Sequence, residues 1–359
     1  MKILHVCETA QGGVGTHINE LVSLQIKSSV SNKIMLLAPR EHLIQLPDVP
    51  SEIIRTFKRP SRIRGLFDLA FQFVSTVFLF KPDVIHIHSS VAGFVIRPLA
   101  SLWLKPIVYC PHGWAMDRDQ SRHSAQLIGF VEYLLSFLTS RIIAVSESEK
   151  MRGMQVGIPS KKLVKIYNGI KAEPPAFQAV QWDDSRLKVL FVGRFDRQKG
   201  IDVLLNAVAG LQDVICVRVL GNNVVGEDPV SFADYPHVEP LGWLNLSSVS
   251  AQMAVCDVVV MPSRWEGLPI VGIEAMRMKK PIIATRVGGV PELVEDGATG
   301  YLFDSGDDEA LASLLIKAER DKLRQMGEYA HTVFLKSFVS DKMVSAVDGV
   351  YTEINRGLK

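Results

Sequence analysis

Two glutamates, Glu266 and Glu274, flank the start of a predicted helix and are placed to act on one ligand. Residues 258–261 (Val-Val-Val-Met) form a short β-branched run, which predicts a buried strand. Pro269 follows where its missing N–H costs nothing, so we expect the helix to open there. Glu266 then lies in the loop before the helix, and Glu274 about one and a half turns into it. Both carboxylates are expected at the carboxyl end of the strand, where open α/β sheets bind ligands.

The start of the same helix is attractive to an anion. The backbone N–H groups of Leu268, Ile270 and Val271 are available there, and the helix dipole adds positive partial charge. A carboxylate pair beside an anion site suits a ligand that carries both phosphates and hydroxyls, such as a nucleotide sugar. An ordinary strand-to-helix turn with two solvated glutamates is the other interpretation of this pattern.

Two cations flank another strand-to-helix turn in the second half of the chain. Residues 187–194 predict a strand that ends on Arg194, and Lys199 lies just before a helical pattern from residue 201. A diphosphate bound at this turn would receive charge-assisted hydrogen bonds, which are stronger than neutral ones. The same cations could stabilise the charge of a departing nucleoside diphosphate. A solvated basic loop is the alternative.

Gly12 and Gly13 follow the first predicted strand, residues 3–7, and precede a helical pattern. A glycine-rich turn in that place lets the backbone approach a phosphate closely. The spacing is G-G-x-G and not the G-x-G-x-x-G of dinucleotide-binding folds, which argues against a Rossmann dehydrogenase. A tight turn without a ligand is the alternative for this loop.

Three histidines lie at the carboxyl side of two predicted strands. His86 and His88 share one face of a strand, and His112 follows the next strand between a proline and a glycine. Together they suggest a metal, but no further ligand lies at a recognisable spacing, so no metal site is predicted. His112 is favoured as a ligand contact over a purely structural hydrogen-bonding role.

A basic segment precedes an aromatic-rich helix that is predicted at residues 66–81. It contains four cations in seven positions, namely Lys58, Arg59, Arg62 and Arg64. Such a pattern could lie on an anionic membrane surface or bind an acidic acceptor. For the apolar face we favour an ordinary helix packed on a sheet, with the basic turn in solvent.

Composition limits the class of protein and its location. The net charge of +2 is too small to argue for a nucleic-acid partner. The four cysteines lie far apart without metal spacing, which is typical of reduced cysteines in a cytosolic protein. The start of the chain is not a signal peptide, and no apolar run is long enough to span a membrane. We expect a cytoplasmic protein, either free or peripheral on the inner face of the cytoplasmic membrane.

Strands and helices alternate along the whole chain of 359 residues, which is too long for one core of usual size. Residues 165–170 predict the last strand of the first half. Residues 172–178 break regular structure, and little order is evident before residue 187. We therefore expect two α/β domains, at residues 1–172 and 173–337, followed by a C-terminal helix at 338–359.

Three separate stretches, taken in order, resemble the marks of retaining glycosyltransferase family 4, a large group of GT-B enzymes that use activated sugars. They are Gly12-Gly13, Arg194 with Lys199-Gly200, and the pair Glu266 and Glu274. Several further positions are similar to the family pattern, namely His88, His112, Asn168-Gly169 and residues 288–292 (Gly-Gly-Val-Pro-Glu). The resemblance covers nearly the whole chain, and the ordered set is more specific than any of its pieces.

The resemblance implies an α/β protein of GT-B fold, with two doubly wound Rossmann-like domains facing each other across a cleft. It places the nucleotide-sugar donor mainly on the C-terminal domain and the acceptor mainly on the N-terminal one. The last helix of the family usually crosses back to the N-terminal domain.

The resemblance also implies roles for the motif residues. Glu274 would hold the ribose hydroxyls, and Arg194 with Lys199 would bind the diphosphate. The N–H groups of Ile270 and Val271 would assist them, and Gly12 and Gly13 would bring backbone to the phosphate. The donor sugar would be contacted by Glu266, Gly267, Leu268 and His112.

The family chemistry implies front-face attack with retention, in which the donor phosphate takes the acceptor proton. Arg194 and Lys199 would take the place of a metal ion, so no metal and no cofactor beyond a UDP- or GDP-sugar is expected. We expect a glycan acceptor, lipid-linked, in bacterial envelope or exported polysaccharide synthesis. Two alternatives remain: a GT-B nucleotide-sugar 2-epimerase, and a non-catalytic sugar-nucleotide-binding subunit.

Overall fold

The structure is a computed structural model that describes residues 1–28, 32–59, 61–223 and 229–356, without the side chains of residues 62 and 63. The chain divides into two compact units. The first unit comprises Met1–Ile170 and Val339–Lys359, and the second comprises Lys171–Phe338. These boundaries lie close to the expected divisions after residues 172 and 337.

The first unit contains a parallel sheet with the order β3-β2-β1-β4-β5-β6-β7 in the described part of the chain. Parallel neighbours need a crossover, and helices supply it. The strands are β1 (Lys2–Cys7), β2 (Lys33–Pro39), β3 (Ile54–Phe57), β4 (Val84–His88), β5 (Ile107–Cys110), β6 (Arg141–Ala144) and β7 (Leu163–Lys165). The helices are α1 (Gly12–Ser28), α2 (Arg62–Phe80), α3 (Ser90–Ser101), α4 (Arg122–Ser136), α5 (Glu147–Gln155) and the C-terminal α11 (Ser340–Arg356).

Alternation along β1 and β4 separates an apolar face of this sheet from a polar one. Successive side chains of a strand point to opposite faces. Leu4, Val6, Ile85 and Ile87 therefore share a face, and they pack in a core cluster with residues of α2 and α3. The histidines of both strands lie on the other face, and the register pairs His5 with His86. A buried polar cluster is the result.

Helix α11 covers part of that polar face. It packs along α1 in the first unit. Gln25 Nε2 of α1 donates to Asp348 Oδ1 of α11 at 2.7 Å, and the Tyr351 hydroxyl lies 2.5 Å from His86 Nδ1. Helix α11 is thus part of the first unit, with its buried side against α1.

The second unit contains a parallel sheet with the order β10-β9-β8-β11-β12-β13 among its described residues. Its strands are β8 (Leu187–Val192), β9 (Ile215–Leu220), β10 (Val238–Gly242), β11 (Val258–Met261), β12 (Ile282–Thr285) and β13 (Gly300–Phe303). Its helices are α6 (Ile201–Val208), α7 (Leu246–Val255), α8 (Ile270–Arg277), α9 (Asp308–Ile316) and α10 (Arg320–Ser337). The inner strands β8, β9, β11 and β12 are largely buried, as expected for a parallel sheet between helices, whereas the edge strand β10 exposes Glu239 and Pro240.

The strand that the sequence predicts at residues 165–170 is wrong in position. Strand β7 ends at Lys165, where its pairing with β6 ends. The following residues serve other contacts, because Asn168 Oδ1 lies 3.0 Å from His17 Nδ1 and Gly169 packs against the backbone of Val339.

In the described ranges of the chain, no helix combines the length and the apolar character that crossing a bilayer requires.

Candidate active site

The predicted donor-site residues of the second unit lie at the point where its strand order reverses. From β8 the chain proceeds to β9 and β10 on one side, and then returns to β11 on the other side of β8. The loop after β8 therefore runs toward one side of the sheet, and the loop after β11 runs toward the other side. The space between them is a crevice at the carboxyl edge of the sheet. Ligands of doubly wound sheets bind in such a crevice.

Lys199 and Glu266 bridge these two loops. Lys199 Nζ donates to Glu266 Oε1 at 2.5 Å, and the Ser263 hydroxyl donates to the same oxygen at 2.7 Å. The Glu266 side chain is 7% exposed and that of Lys199 is 21% exposed. An ammonium has three donors, so two of them remain for a ligand after the contact with Glu266.

Arg194 is held at the outer side of the same crevice. Its Nε donates to Asp196 Oδ2 at 2.6 Å, and its Nη2 donates to Gln198 Oε1 at 2.8 Å. Gln198 is fixed in turn, because its side-chain amide donates to the Trp265 carbonyl at 3.1 Å. The Arg194 side chain is 47% exposed, so this guanidinium is oriented by the protein yet open to solvent.

Two glycines let the loops approach each other closely. Gly200 has φ +68°, and a Cβ there would lie 2.0 Å from the Pro262 carbonyl oxygen at the end of β11. Gly288 has φ +51°, and a Cβ there would lie 1.9 Å from the Glu266 carbonyl oxygen. Other residues are strained at such φ values and would clash as well, so both positions require glycine.

Helix α8 begins beside the two cations, as the sequence predicts, with Pro269 as its N-cap residue. Ile270 and Val271 are its first two residues, whose N–H groups have no partner within the helix. The Gly267 carbonyl accepts from Gly289 N–H at 2.8 Å, which fixes the loop before the helix. Leu268 is buried there. Glu274, in the middle of the helix, is 6% exposed.

In the first unit, Gly12 and Gly13 are the exposed first residues of α1, and the turn between β1 and the helix precedes them. Gly12 has φ +56° and open space where a Cβ would lie. Gly15 is the glycine that packing requires, because a Cβ there would lie 2.4 Å from the Ala10 carbonyl oxygen. The start of α1 thus offers free backbone N–H groups at the carboxyl edge of the first sheet.

The three histidines of the sequence prediction belong to a larger buried group. His88 Nδ1 lies 3.1 Å from His112 Nε2, and His88 Nε2 lies 3.1 Å from His5 Nδ1. The rings of His86 and His88 lie 4.1 Å apart, and the ring of His17 stands edge-on to His112 at 4.4 Å. We call these five residues the histidine cluster.

Burial keeps the histidine cluster neutral. It lowers the pKa of His5 to about 3 and that of His17 to about 4. It also lowers the pKa of His86, His88 and His112 well below the usual histidine value. The neighbouring imidazoles add to this effect, because a second positive charge nearby is unfavourable.

The backbone of His112 is strained. Its φ of +55° lies in the left-handed region, which is uncommon for a residue with a side chain, and Gly113 follows with φ +98°. Strained backbone of this kind is concentrated at functional sites. The Gly113 N–H donates to Glu149 Oε1 at 2.6 Å, which holds the turn in place.

The cluster offers more metal-ligating atoms than the sequence indicates. Within the described residues, His5, His86 and His88 form one triad whose ring nitrogens lie within 4.8 Å of one another. His17, His88 and His112 form a second such triad. The sequence gives no recognisable spacing for them, because His5 and His17 come from β1 and α1. Each triad is a neutral donor set that could hold a transition metal.

Several contacts at these sites carry no local sequence signal. Ser263, Asp196 and Gln198 are common loop residues, and their roles depend on which loops meet. The position of His5 on one face of its strand could have been predicted, because apolar residues alternate with it in β1 as they do with His86 in β4. The register between β1 and β4 is needed to use that signal.

The basic segment is only partly free. Arg59 Nη2 lies 2.6 Å from Glu8 Oε1, so this cation is turned toward the first unit. Lys58 and Arg64 are exposed, and the side chain of Arg62 lies outside the described residues.

Two parallel α/β sheets, each in its own unit with helical crossovers, are the sheets expected of the GT-B fold. The family model described as "Glycosyl transferases group 1" matches residues 173–333, and the model described as "Glycosyltransferase Family 4" matches residues 11–173. An uncharacterized 41.2 kDa protein in the cps region of Klebsiella pneumoniae is 30% identical over 94% of this chain and 96% of its own length. The chain belongs to glycosyltransferase family 4.

Two further relatives extend the comparison. The UDP-Gal:alpha-D-GlcNAc-diphosphoundecaprenol alpha-1,3-galactosyltransferase of Escherichia coli is 24% identical, with 86% of each chain covered. The crystal structure of HepE from Anabaena in complex with UDP-glucose superposes with a TM-score of 0.83 at 21% identity. That superposition covers 98% of this chain and 100% of the other, and it confirms the predicted fold class.

Proposed function

We propose that this glycosyltransferase moves a sugar from a nucleoside-diphosphate sugar, with UDP or GDP as the nucleotide, to a hydroxyl of a lipid-linked glycan. The observation that carries the proposal is the Lys199–Glu266 pair, which lies beside the start of α8 at the switch point of the second sheet. Fixed cations next to free helix N–H groups suit a diphosphate.

The diphosphate takes the remaining donors of Lys199 and Arg194, together with the N–H groups of Ile270 and Val271. Both cations are already oriented by protein contacts, so little reorganisation is needed when charge develops on the leaving group. Interactions that are stronger in the transition state than with the intact donor accelerate the reaction. Negative charge rises on the diphosphate as the glycosidic bond breaks, which meets this condition.

The remaining motif residues bind the other parts of the ligands. Glu274 holds the ribose hydroxyls, and the loop of Glu266, Gly267 and Leu268 contacts the sugar. His112 hydrogen-bonds a sugar hydroxyl, and the exposed start of α1 at Gly12 and Gly13 approaches a phosphate. These roles rest on the family pattern together with the positions of the residues at the carboxyl edges of the two sheets.

Transfer proceeds with retention of the anomeric configuration and without a metal. Glu266 is occupied by Lys199 and Ser263, which supports a role in holding the cation and argues against a free base for the acceptor. The leaving phosphate oxygen accepts the proton of the attacking hydroxyl, the bond from the sugar to that oxygen breaks, and the new bond forms on the same face. Lys199 and Arg194 supply the charge that a metal would supply elsewhere.

A lipid-linked acceptor in envelope or exported polysaccharide synthesis agrees with two relatives. The E. coli relative is named for a diphosphoundecaprenol acceptor, and the Klebsiella relative is described by its place in a cps region.

Exposed apolar and cationic side chains of the first unit support the proposal that the protein attaches to a membrane surface. Helix α2 contacts α3, and α3 contacts α4. Large apolar side chains are exposed within these three helices or in the few residues that follow them. They are Phe67, Phe71, Phe78, Leu79, Phe94, Leu102, Leu104, Leu127, Phe130, Leu134 and Phe137. Exposed Lys58 and Arg64 lie at the start of α2. An apolar surface with cations at its edge is typical of peripheral attachment to anionic lipid.

The experiment has two stages. A thermal-shift screen over UDP-, GDP- and ADP-sugars identifies the donor, because a ligand that binds the folded state raises its apparent stability. The selected donor is then incubated with and without polyprenyl-diphosphate-linked sugars, and the product is analysed for linkage and anomeric configuration. An inverted product contradicts the retaining mechanism. Release of an epimerised sugar without acceptor supports the epimerase, and binding without turnover supports a non-catalytic subunit.

A further inference from the structure

A continuous line of hydrogen bonds runs through the interior of the first unit, from α11 to the loop after β5. Gln25 Nε2 donates to Asp348 Oδ1 at 2.7 Å, and Gln25 Oε1 lies 2.9 Å from His5 Nε2. His5 Nδ1 lies 3.1 Å from His88 Nε2, and His88 Nδ1 lies 3.1 Å from His112 Nε2. The line ends where Cys110 Sγ lies 3.6 Å from His112 Nδ1.

The direction of this line is set at its Asp348 end. A carboxylate only accepts hydrogen bonds, so the amide of Gln25 turns its NH2 group to Asp348 and its carbonyl oxygen to His5. A carbonyl oxygen also only accepts, so His5 carries its proton on Nε2. Because a neutral imidazole has one N–H, His5 Nδ1 is bare and accepts a hydrogen bond.

The same pairing of one donor with one acceptor applies to each following ring. His88 donates its Nε2–H to the bare Nδ1 of His5, which leaves His88 Nδ1 as an acceptor. His112 then donates its own Nε2–H to His88, which leaves His112 Nδ1 bare. Gln25, His5 and His88 are all fully enclosed, so water does not offer an alternative partner along this part of the line. A reversed proton anywhere would leave two lone pairs or two N–H groups facing each other in the interior.

We propose that Gln25, His5 and His88 are positioning residues that fix His112 as the Nε2–H tautomer, so that His112 presents a hydrogen-bond acceptor, Nδ1, to a sugar hydroxyl. Among the described residues, the only hydrogen-bonding partner of that nitrogen is the thiol of Cys110, a weak donor at 3.6 Å. The tautomer itself does not depend on the function of the protein. Its use toward a sugar rests on the function proposed above.

The strained backbone of His112 and the packing of His17 complete the arrangement. His17 stands edge-on to His112, and its own Nδ1 lies 3.0 Å from Asn168 Oδ1, so its ring is fixed as well. The outer ring, His112, is half-buried, whereas His88 behind it is fully buried. His112 is therefore the member of the line that a ligand can reach.

Nitrogen NMR of the full-length chain tests the tautomers directly, because bare and protonated ring nitrogens have well-separated 15N shifts. The chain is labelled with 15N-histidine and observed near neutral pH by long-range 1H–15N correlation, and each signal is assigned with single histidine-to-glutamine variants. We expect His5, His88 and His112 all to carry the proton on Nε2. The Nδ1–H form at any of the three would overturn the proposal. A spectrum that changes when a chelator is added would also overturn it, because a metal would then replace the shared proton.

A matched pair of variants tests transmission along the line. Gln25→Glu shares one proton with Asp348, because two carboxylates this close cannot both ionise, and its other oxygen still accepts from His5, so the His112 signals should stay as in the parent chain. Gln25→Lys offers only donors and places an ammonium beside Asp348, so each proton should move to Nδ1 as far as His112. Gln25→Met, which removes the acceptor without adding charge, serves if the lysine variant does not fold, and it should give a mixed population at His112. Identical His112 signals in the glutamate variant and in the lysine or methionine variant contradict the proposal.

Turnover separates the two halves of the inference. Transfer by Gln25→Lys should fall roughly two- to tenfold below that by Gln25→Glu, since a hydrogen bond between uncharged groups contributes about that factor. Stabilisation by UDP alone should be similar in the two variants, because the cations proposed to bind the diphosphate, Arg194 and Lys199, lie in the second unit. Equal transfer with reversed tautomers would overturn the role of His112 toward the sugar. Absence of transfer in every chain, the parent included, would count against the proposed function and leave the tautomer result standing.

Discussion

Lys199 Nζ and Glu266 Oε1 lie 2.5 Å apart, although 67 residues separate them in the chain. The pair joins the loop that leaves β8 to the loop that leaves β11, on the two sides of the switch point. Its short distance and the contact with Ser263 hold the ammonium in one place before a ligand arrives. The second unit therefore has a preorganised cationic site.

Removal of either cation should nearly abolish transfer while the fold stays intact. In Lys199→Ala or Arg194→Ala the departing diphosphate loses one fixed donor, which reduces kcat by about 10²–10³-fold by analogy with other oxyanion donors. Steady-state kinetics with the selected donor measure the loss, and circular dichroism confirms the fold.

The control for these two variants is Arg324→Ala on α10. The Arg324 side chain is 78% exposed, and the substitution removes one positive charge from the same unit, as the other two variants do. Transfer should match that of the parent chain within error. Parent-like turnover by Lys199→Ala or Arg194→Ala would show that the phosphate roles are misassigned.

Substitution of Gly288 should disturb the Glu266 loop. Gly288→Ala forces a Cβ to within 1.9 Å of the Glu266 carbonyl oxygen at a φ of +51°. Something must shift, and the atoms that the new Cβ meets belong to the backbone of Glu266. We expect transfer to fall at least about tenfold with a lowered Tm, since steric strain at such positions costs of order 1–3 kcal/mol.

Gly306→Ala separates the clash from the backbone strain. Gly306 has φ +86°, and no heavy atom beyond the adjacent residues lies within 4 Å of the position that a Cβ would take. The alanine there is therefore destabilised only by its backbone conformation and not by a clash. Its Tm should fall modestly and its kcat/KM should stay unchanged. Equal loss of kcat/KM in both variants would contradict a specific effect on the Glu266 loop.

The histidine cluster should make the protein less stable in mild acid. The pKa of each member is lowered in the folded state, so below pH 6.5 the unfolded chain binds more protons than the folded one. The free energy of unfolding therefore falls as the pH falls from about 7 to about 4, by about 1.4 kcal/mol per pH unit for each histidine that stays neutral. Urea unfolding at a series of pH values measures the slope.

Single variants attribute this slope to the cluster. His17→Gln removes one buried imidazole and should make the slope shallower. The matched control is His123→Gln at an exposed position of α4, which should leave the slope as in the parent chain. A flat profile for the parent chain between pH 7 and pH 5 would contradict the buried, neutral state of the cluster.

Attachment to anionic lipid should depend on the exposed surface of α2 to α4. In liposome flotation at low salt, the parent chain should float with vesicles that contain anionic lipid, and it should float less as the ionic strength rises. Phe67→Ser with Phe71→Ser should weaken flotation at all salt concentrations, because those rings are 75% and 70% exposed. Lys58→Glu with Arg64→Glu should weaken it mainly at low salt. No binding by the parent chain at low salt would count against membrane attachment.

Local pattern was enough to predict the elements that carry the donor site. The β-branched run of β11 and the proline at the start of α8 each act over a few residues, so the position of Glu266 before the helix followed from sequence. The alternation of histidines in β4 likewise placed His86 and His88 on one face. The fold class followed from strand–helix alternation together with the family resemblance.

Contacts between distant segments were not predictable from pattern. The pairing of Lys199 with Glu266 depends on which strands neighbour each other, and the position of His5 depends on the register of β1 against β4. The strand predicted at 165–170 was misplaced, because Asn168 is used by His17 and Gly169 by Val339. Helices α3, α5 and α7 were not assigned from the sequence, and Pro98 inside α3 obscures the first of them.

The proposed mechanism depends most on the binding of the donor diphosphate by Arg194 and Lys199. Calorimetric titration of the selected nucleoside and of its diphosphate, into the parent chain and into the Arg194→Ala/Lys199→Ala variant, tests it most directly. The ratio of the two Kd values isolates the contribution of the phosphates. We expect the diphosphate to bind the parent chain much more tightly than the nucleoside, and we expect this advantage to fall by at least about 100-fold in the variant, since a charge-assisted hydrogen bond contributes about 1.5–3 kcal/mol. An unchanged ratio in the variant would contradict it.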